Sequence, residues 1–208
     1  MKSPPIGRIL VGGSLLGWIL VAAVSYLRYP VTAATDDLGW LLIVAVCWAG
    51  ALIATALTIV RWLTSRAYAK AAAAAVIAIA AGGTTWTVDW STAYLDSQFR
   101  LHRGALHDLA TSFEAGRLTA DERLPLEIRY LSRDGRAHLQ PSDARRPAAQ
   151  NPRVLYLPVW EDWRGEAGAG LAYLGGHPPA EVVIATALGG MGVPSRHVGD
   201  GWWWVAGG

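Results

Sequence analysis

Three long apolar runs without a single charged side chain limit what this chain can fold into more than any other feature. They cover residues 9–27, 38–60 and 71–88. A helix needs roughly 20 apolar residues to cross about 30 Å of hydrocarbon, and each run is close to that length. The third run is the least apolar because it contains a Gly-Gly-Thr-Thr stretch, whose hydroxyls are expected to bond back to their own helix. The sequence predicts three membrane-spanning helices within residues 1–89, and therefore the lipid bilayer as a partner.

Basic residues are unequally distributed over the segments that flank these runs. Two precede the first run and three lie between the second and third, whereas Arg28 between the first and second is offset by Asp36 and Asp37. Lys and Arg collect on the cytoplasmic side of short loops. We therefore expect a multi-pass plasma-membrane protein with a cytoplasmic N-terminus and an extracytoplasmic domain in residues 90–208. The basic residues on the cytoplasmic side are Lys2, Arg8, Arg61, Arg66 and Lys70.

The first run allows a second interpretation, namely a cleaved signal peptide. Val31, Thr32 and Ala33 satisfy the small-residue rule for a cleavage site. The apolar run is longer than a usual signal core, which favours a retained span. Cleavage would leave two spans and the same outward C-terminus.

Small residues recur at a spacing of four in the first two runs. Gly13 and Gly17 form a GxxxG pair in the first run. Such residues let helix backbones approach closely, either within this chain or between two copies in a homodimer. No run has a charged residue in its middle, which argues against transport because transporters use intramembrane charges. The pairs in the second run are Ala45 with Ala49 and Gly50 with Ala54.

Residues 90–208 have the composition of one folded domain outside the membrane. They hold twelve Arg against thirteen Asp or Glu, and this near-neutral balance argues against nucleic-acid binding, which uses a basic stripe. The only cysteine is Cys47 in the second run, so no disulfide holds this domain. It must fold on its own apolar core, and it is long enough to do so.

Residues 91–115 predict one amphipathic helix, because their apolar residues alternate at spacings of four and three and so share one stripe. No proline or glycine separates this segment from the third run. We expect the helix to continue directly out of the membrane, with Ser91 as an alternative cap. Asp96 is expected to pair with Arg100, and Gly116 is a suitable stop. The stripe consists of Leu95, Phe99, His102, Leu106, Leu109 and Phe113.

After this helix the pattern changes to alternation, which indicates strands. Asp134 and Gly135 mark a hairpin turn, and Pro158 confines its strand to an edge or an end. The fold class is thus a three-span α-helical membrane region plus a small α+β extracytoplasmic domain, in which one long helix packs on a mostly antiparallel sheet. The predicted strands are residues 126–130, 137–140, 154–160, 169–174, 201–205 and, with a helix from Pro179 as the alternative, 181–188.

No catalytic, cofactor or metal motif stands out. HExxH, GxSxG and GxGxxG are all absent, so we predict no catalytic residue, no cofactor and no metal site. His102, on the apolar stripe, is expected to be a hydrogen-bonded, neutral core histidine, with a pH-sensing role as the alternative. An acidic loop beside an aromatic ring suits a cation or a carbohydrate, with a solvated hairpin tip as the alternative. The candidate binding surface consists of Glu161, Asp162, Trp163, His177, His197 and Trp203.

Two segments carry a resemblance to a family. Residues 170–179, GLAYLGGHPP, and residues 197–204, HVGDGWWW, resemble a pattern in small actinobacterial membrane proteins with a C-terminal extracytoplasmic domain. In these, a strand precedes a Pro-Pro turn and a Trp-rich strand ends the chain. The helix around Phe99, His102 and Arg103 is also similar. The resemblance implies the same domain organisation and topology, and it implies no activity.

A folded outer domain without a catalytic motif favours a membrane-anchored extracytoplasmic binding or accessory module of the bacterial cell envelope. Its partner is expected to be a membrane or envelope protein, or a ligand. One alternative is a cell-envelope hydrolase that uses Glu161, Asp162 or a His/Asp pair. Another is an immunity-like or regulatory membrane protein.

Overall fold

The contacts within the chain define two compact units. One consists of Met1–Val31 and Leu38–Ala93, and the other of Thr32–Asp37 and Tyr94–Gly208. The predicted domain boundary at residue 89 separates the membrane-spanning region from the extracytoplasmic domain, and it stays a prediction. A computed structural model of the protein describes residues 6–141, 153–162, 164, 166–176, 182–187 and 190–207.

Three helices of the first unit are long and apolar enough to cross a membrane, in agreement with the three uncharged runs. They are α1 (Ile6–Tyr26), α2 (Arg28–Thr64) and α3 (Tyr68–Thr87). Helix α2 begins well before its apolar run and is kinked at Asp36, whose φ of 68° and ψ of 176° are not helical.

Close approach of α1 and α2 depends on a glycine. A Cβ at Gly17 would lie 2.9 Å from the Cα of Ala51, and Ala51 is fully buried. At Gly13, by contrast, a Cβ would meet nothing within 4 Å. The second glycine of the GxxxG pair is therefore used within the chain, whereas the first faces open space.

The glycine that dilutes the third run also has a packing role. A Cβ at Gly82 would lie 3.1 Å from the indole of Trp18, which is buried. The Trp18 indole N–H donates to the Thr55 hydroxyl at 3.2 Å, and that hydroxyl also bonds Ser14 at 2.8 Å. In α3, the Thr85 hydroxyl donates to the carbonyl of Ala81 at 2.8 Å, as predicted for hydroxyls in this run.

The predicted continuous helix from the third span is wrong. Helix α3 ends at Thr87, and Val88 is extended, with φ −72° and ψ 128°. A new helix, α4 (Trp90–Leu101), starts beyond it. Asp89 caps this helix, since its carboxylate accepts the Thr92 N–H at 3.0 Å and the Thr92 hydroxyl at 2.7 Å. The cap is Asp89 and not Ser91, because its carboxylate accepts the N–H of Thr92, which has no partner within the first turn of the helix.

The predicted single helix is also interrupted at His102, whose φ of −111° and ψ of 21° separate α4 from α5 (Arg103–Glu114). The apolar stripe is otherwise confirmed. The helix stops at Gly116, as predicted. This glycine has φ 65°, and the N–H of Arg117 bonds the Ser112 carbonyl at 3.0 Å, a Schellman cap. The buried stripe residues are Leu95, Phe99, Leu106 and Leu109.

The described strands of the second unit form one antiparallel seven-stranded sheet, in the order β1-β2-β3-β4-β7-β6-β5. This confirms the α+β class. Its core contains Tyr156, Ile184, Trp202 and Val205, all nearly inaccessible. The strands are β1 (Glu122–Arg123), β2 (Arg136–Pro141), β3 (Arg153–Glu161), β4 (Gly168–Tyr173), β5 (Ile184–Ala185), β6 (Met191–Gly199) and β7 (Trp202–Gly207).

The predicted strand at residues 126–130 is wrong. The segment is a turn followed by a 3-10 helix, Arg129–Leu131. Ile128 and Leu131 are buried, whereas Leu126 is 80% exposed. A spacing of three between the buried residues fits a tight helix, and β1 takes the place beside β2 instead.

Strand β6 was missed by the sequence prediction. Its turn to β7 is Asp200-Gly201, with φ of 45° and 80°, the positive values of a type I′ hairpin. Pro158 lies in β3, which is an interior strand. It nevertheless lies beyond Tyr156, the last β3 residue paired with β2, and next to a register shift with β4, so its missing N–H is tolerated there.

Candidate functional site

A cavity of about 360 Å³ lies in the second unit among residues of β2, β3 and the β5 segment. Strand β2 contributes His138 and Gln140, and the turn before it contributes Asp134. Acidic, imidazole, amide and hydroxyl groups therefore meet in one cavity. Its lining residues are Asp134, His138, Gln140, Tyr156, Pro158, Glu161, Ala185, Thr186 and Ala187.

His138 lies between two carboxylates. Its Nδ1 is 2.6 Å from Oδ1 of Asp121, and its Nε2 is 2.7 Å from Oδ2 of Asp134. The pairing of β1 with β2 brings Asp121, just before β1, close to this histidine. An imidazolium can donate to both carboxylates, whereas a neutral ring has one N–H. Since both ring nitrogens are engaged, the ring offers neither one freely to a ligand.

Asp134 is held by several further donors. The Ser132 hydroxyl donates to its Oδ1 at 2.8 Å, and the Arg136 N–H donates to the same atom at 3.0 Å. Burial opposes ionisation of Asp134, but hydrogen bonds from Ser132, Arg136 and His138 outweigh it and lower the pKa of this carboxyl. Asp134 is therefore a negative charge at the cavity over a wide pH range.

Two lining residues have buried hydroxyl oxygens for which the described part of the chain supplies no hydrogen-bond partner. They are the phenol of Tyr156, which is 2% exposed, and the hydroxyl of Thr186, which is 5% exposed. Burial raises the pKa of Tyr156, so the phenol keeps its proton. Buried polar atoms usually have partners, so two unsatisfied hydroxyls on residues that line one cavity are an unusual feature of this unit.

Two glycines leave room for the side chains of Tyr156 and Thr186. A Cβ at Gly170 would lie 2.7 Å from two ring carbons of Tyr156, and a Cβ at Gly192 would lie 2.6 Å from the methyl group of Thr186. A larger residue at either position would displace a cavity-lining side chain.

Glu161, a predicted candidate, lines this cavity and forms an ion pair with Arg133. It also lines a second cavity of the same unit, about 440 Å³, together with Arg133, Asp36 and Trp160. The next candidate, Asp162, has a local structural role. Its Oδ1 accepts the N–H groups of Glu166 at 2.7 Å and of Ala167 at 3.1 Å, which closes the loop after β3.

His197 and Trp203 lie elsewhere, on the β6–β7 hairpin. They are cross-strand neighbours, with ring centroids 5.0 Å apart, and the Trp203 indole donates to the Gly176 carbonyl at 3.1 Å. Neither lines the His138 cavity. Trp163 and His177 lie outside the described residues. Of the predicted binding surface, the structure therefore brings His197 and Trp203 together, whereas Glu161 lines the His138 cavity.

Among the described residues, two ion pairs join the helices to the β6–β7 hairpin. Arg103 contacts both carboxylate oxygens of Asp200, at 2.6 and 2.8 Å, and holds the pKa of Asp200 below its ordinary value. Asp96 pairs with Arg196 at 2.6 Å. The predicted pairing of Asp96 with Arg100 is wrong. These charges position the helices and are not part of the cavity.

His102 is not a core residue. It is half-buried at the break between α4 and α5, where its Nε2 bonds the Tyr130 hydroxyl, which donates to the Gln98 side chain. The predicted hydrogen-bonded state is confirmed, but the core position is wrong, because the helix ends where the stripe would have buried the ring.

Within the described residues, no group of three or more His, Cys, Asp or Glu side chains could hold a metal ion. Comparison with known proteins adds no relative: no family model, no curated protein and no solved structure matches the chain.

Proposed function

We propose that this chain is a membrane-anchored binding module whose second unit lies outside the cytoplasm and takes a small polar ligand in the His138 cavity. The orientation rests on the excess of basic residues before α1 and between α2 and α3. The binding role rests on one observation, which is the pair of buried hydroxyls of Tyr156 and Thr186 at the cavity.

The charges of the cavity indicate the chemistry of the ligand. Asp134 and Glu161 are both acidic; Asp134 is already bonded by His138, and Glu161 by Arg133. A carboxylate has acceptor sites for more than one donor, so ammonium and hydroxyl donors are favoured over an anion. The ligand class is a small hydroxylated amine, and a cavity of this volume suits a molecule of sugar size.

Binding is favoured over catalysis because the histidine of the cavity, His138, already uses both of its ring nitrogens. A general base needs a ring nitrogen within reach of the substrate proton, and both nitrogens of His138 face carboxylates. The two hydroxyls can donate to a ligand without breaking any hydrogen bond in the described residues.

Ligand-observed saturation-transfer NMR on the full chain in nanodiscs tests the proposal, with glucosamine as the probe and glucose as the uncharged comparison. Glucosamine is expected to receive saturation at lower concentration than glucose. Thr186→Val and Tyr156→Phe remove one hydroxyl each and should weaken its binding about threefold to tenfold, the usual contribution of one hydrogen bond. Thr111→Val, on the exposed face of α5, is the matched control. Equal signals for both sugars, or binding unchanged in both cavity variants, would contradict the proposal.

A hydrolase is the second candidate, favoured by the presence of a His–Asp pair and Glu161 at one cavity. Release of p-nitrophenol from p-nitrophenyl acetate or p-nitrophenyl N-acetylglucosaminide by the wild type, abolished in Glu161→Gln, would favour catalysis. Absence of turnover together with glucosamine binding would favour the binding module.

A further inference from the structure

A cavity of about 170 Å³ lies in the first unit, among residues of α1, α2 and α3. It lies toward one end of the three helices, because Val11 is near the start of α1, Trp62 near the end of α2 and Lys70 near the start of α3. Lys70 and Ala78 both line it, and eight residues of helix separate them by about 12 Å. In a membrane, the cavity therefore extends from the level of the α2–α3 loop into the hydrocarbon.

The walls of this cavity below Lys70 are apolar and include Leu15 of α1 and Ile77 of α3. Its two hydroxyl-bearing residues already use their hydroxyls within the unit. Ser14 bonds Thr55 at 2.8 Å, and Thr58 donates to a carbonyl of its own helix at 2.8 Å. The walls therefore need no polar ligand, and burial of a hydrocarbon chain against them is favourable.

The loop end of the cavity is basic, and the unit supplies no acidic residue at this end. Residues 1–35 and 38–88 contain no Asp or Glu, whereas Arg61, Arg66 and Lys70 lie within ten residues of each other. Among the described residues, none of these three side chains forms an ion pair, and the indole N–H of Trp62 has no hydrogen-bond partner. Positive charge and free donors at the mouth of an apolar cavity complement a ligand with an anionic head and a hydrocarbon tail.

We infer that this cavity holds an acyl chain of an anionic phospholipid, whose phosphate contacts Lys70 and the indole N–H of Trp62. Arg61 and Arg66 add to the positive potential around the headgroup. A lipid is the occupant and not a free phosphate, because only a ligand with a hydrocarbon chain gains from the apolar walls. Basic cavities between spans bind anionic headgroups on the cytoplasmic side, and we propose that the α2–α3 loop lies on that side. The ammonium of a zwitterionic headgroup would be repelled by the same basic residues.

Native mass spectrometry of the full chain tests this inference. The chain is released from mixed micelles with equimolar phosphatidylglycerol and phosphatidylethanolamine of the same acyl chains. The wild type is expected to retain the glycerol lipid at least about tenfold over the ethanolamine lipid. Lys70→Gln should lower this ratio about fivefold, the usual effect of one basic residue near an anionic surface. Arg117→Gln, at an exposed position of the second unit, is the matched control and should keep the wild-type ratio.

Ala74→Leu tests the cavity separately from its charge. Ala74 lines the cavity, so a leucine there should displace the acyl chain and lower retention of the glycerol lipid about fivefold or more. Ala72→Leu, at an exposed position of the same helix, should retain the lipid as the wild type does. A melting temperature close to that of the wild type shows that Ala74→Leu is folded, and Lys70→Gln carries the test if it is not.

Three outcomes would overturn the inference. Equal retention of the two lipids by the wild type, or an unchanged ratio in Lys70→Gln, would exclude recognition of an anionic headgroup by this lysine. Full retention in a folded Ala74→Leu would show that charge alone holds the lipid, outside the cavity. Displacement of the lipid by excess inorganic phosphate would indicate an anion site that makes no use of the apolar walls. None of these variants lies at the His138 cavity, so the ligand proposed there is tested independently.

Discussion

The ring of Tyr156 on β3 packs directly on Gly170 of β4, its close neighbour across the ladder. A methyl group at position 170 would lie 2.7 Å from two ring carbons and would overlap the carbonyl oxygen of Leu157. Because that oxygen belongs to the backbone of an interior strand, it cannot turn away as a flexible side chain would.

Gly170→Ala is therefore expected to destabilise the second unit by about 1–3 kcal/mol, the usual cost of overpacking. It should also shift the Tyr156 ring and weaken ligand binding in the His138 cavity. Calorimetric unfolding of the detergent-solubilised chain measures the first effect. Gly104→Ala is the control, since a Cβ there meets nothing within 4 Å and alanine favours a helix. A melting temperature equal in the two variants would contradict this account of Gly170.

Stability in acid is expected to depend on Asp134. The pKa of Asp134 in the folded chain lies below the ordinary value of an aspartate. Its ionised form therefore stabilises the fold at any pH above the pKa of the unfolded chain, which is about 4. This contribution is lost as the pH falls through the folded pKa. Asp134→Asn should be less stable than the wild type at neutral pH and lose less stability between about pH 5 and pH 3. Melting temperatures across that range provide the measurement, and Asp108→Asn, at an exposed position of α5, should retain the wild-type slope.

Packing of α1 on α2 is expected to fail when Gly17 is enlarged. Gly17→Val places branched carbons against the Ala51 backbone, so the helices must separate. We expect a fall in the melting temperature that corresponds to about 1–3 kcal/mol. Gly13→Val, at the open glycine of the same motif, should leave the melting temperature within error of the wild type.

The same pair of variants tests a homodimer through the small-residue faces. If two copies associate through the open glycine, Gly13→Val should reduce the dimer fraction without a change in monomer stability. Light scattering after size-exclusion chromatography in detergent separates the two states. A wild type that is monomeric at all concentrations would exclude dimerisation through this face.

Membrane orientation is expected to appear in the labelling of single cysteines. With Cys47→Ser as background, Leu126→Cys introduces a thiol at a position that is 80% exposed in the second unit, and Ser65→Cys introduces one between α2 and α3. A membrane-impermeant maleimide should label the first in intact cells and the second only after permeabilisation. The reverse pattern would place the second unit in the cytoplasm.

Much of the fold follows from local signals in the sequence. The uncharged runs identify the candidate spans, Gly116 identifies the end of α5, and alternation identifies β3 and β4. The failures have equally local causes. Asp89 caps a new helix where an unbroken one was expected, and the Asp200-Gly201 hairpin signal was not used, so β6 went unrecognised although it is nine residues long.

The cavity is harder to predict. Asp121 and Asp134 both precede His138 in the chain but contact opposite nitrogens of its ring. The backbone of Asp121 is left-handed, with φ 59°, and the sequence has no glycine there that would predict such a turn. The hydroxyls of Tyr156 and Thr186 become functional candidates only through burial, which depends on the strand order. The one available signal was the spacing of four between Asp134 and His138 across the hairpin turn.

The outer strands of the sheet, β1 and β5, are each two residues long. A strand from another molecule needs a run of free backbone donors and acceptors to extend a sheet. Edge strands this short offer few such groups. The part of β6 that β5 does not cover carries Pro194, which has no N–H, and the charged Arg196. The architecture thus resists edge-to-edge aggregation, and a protein partner would recognise side chains instead of adding a strand.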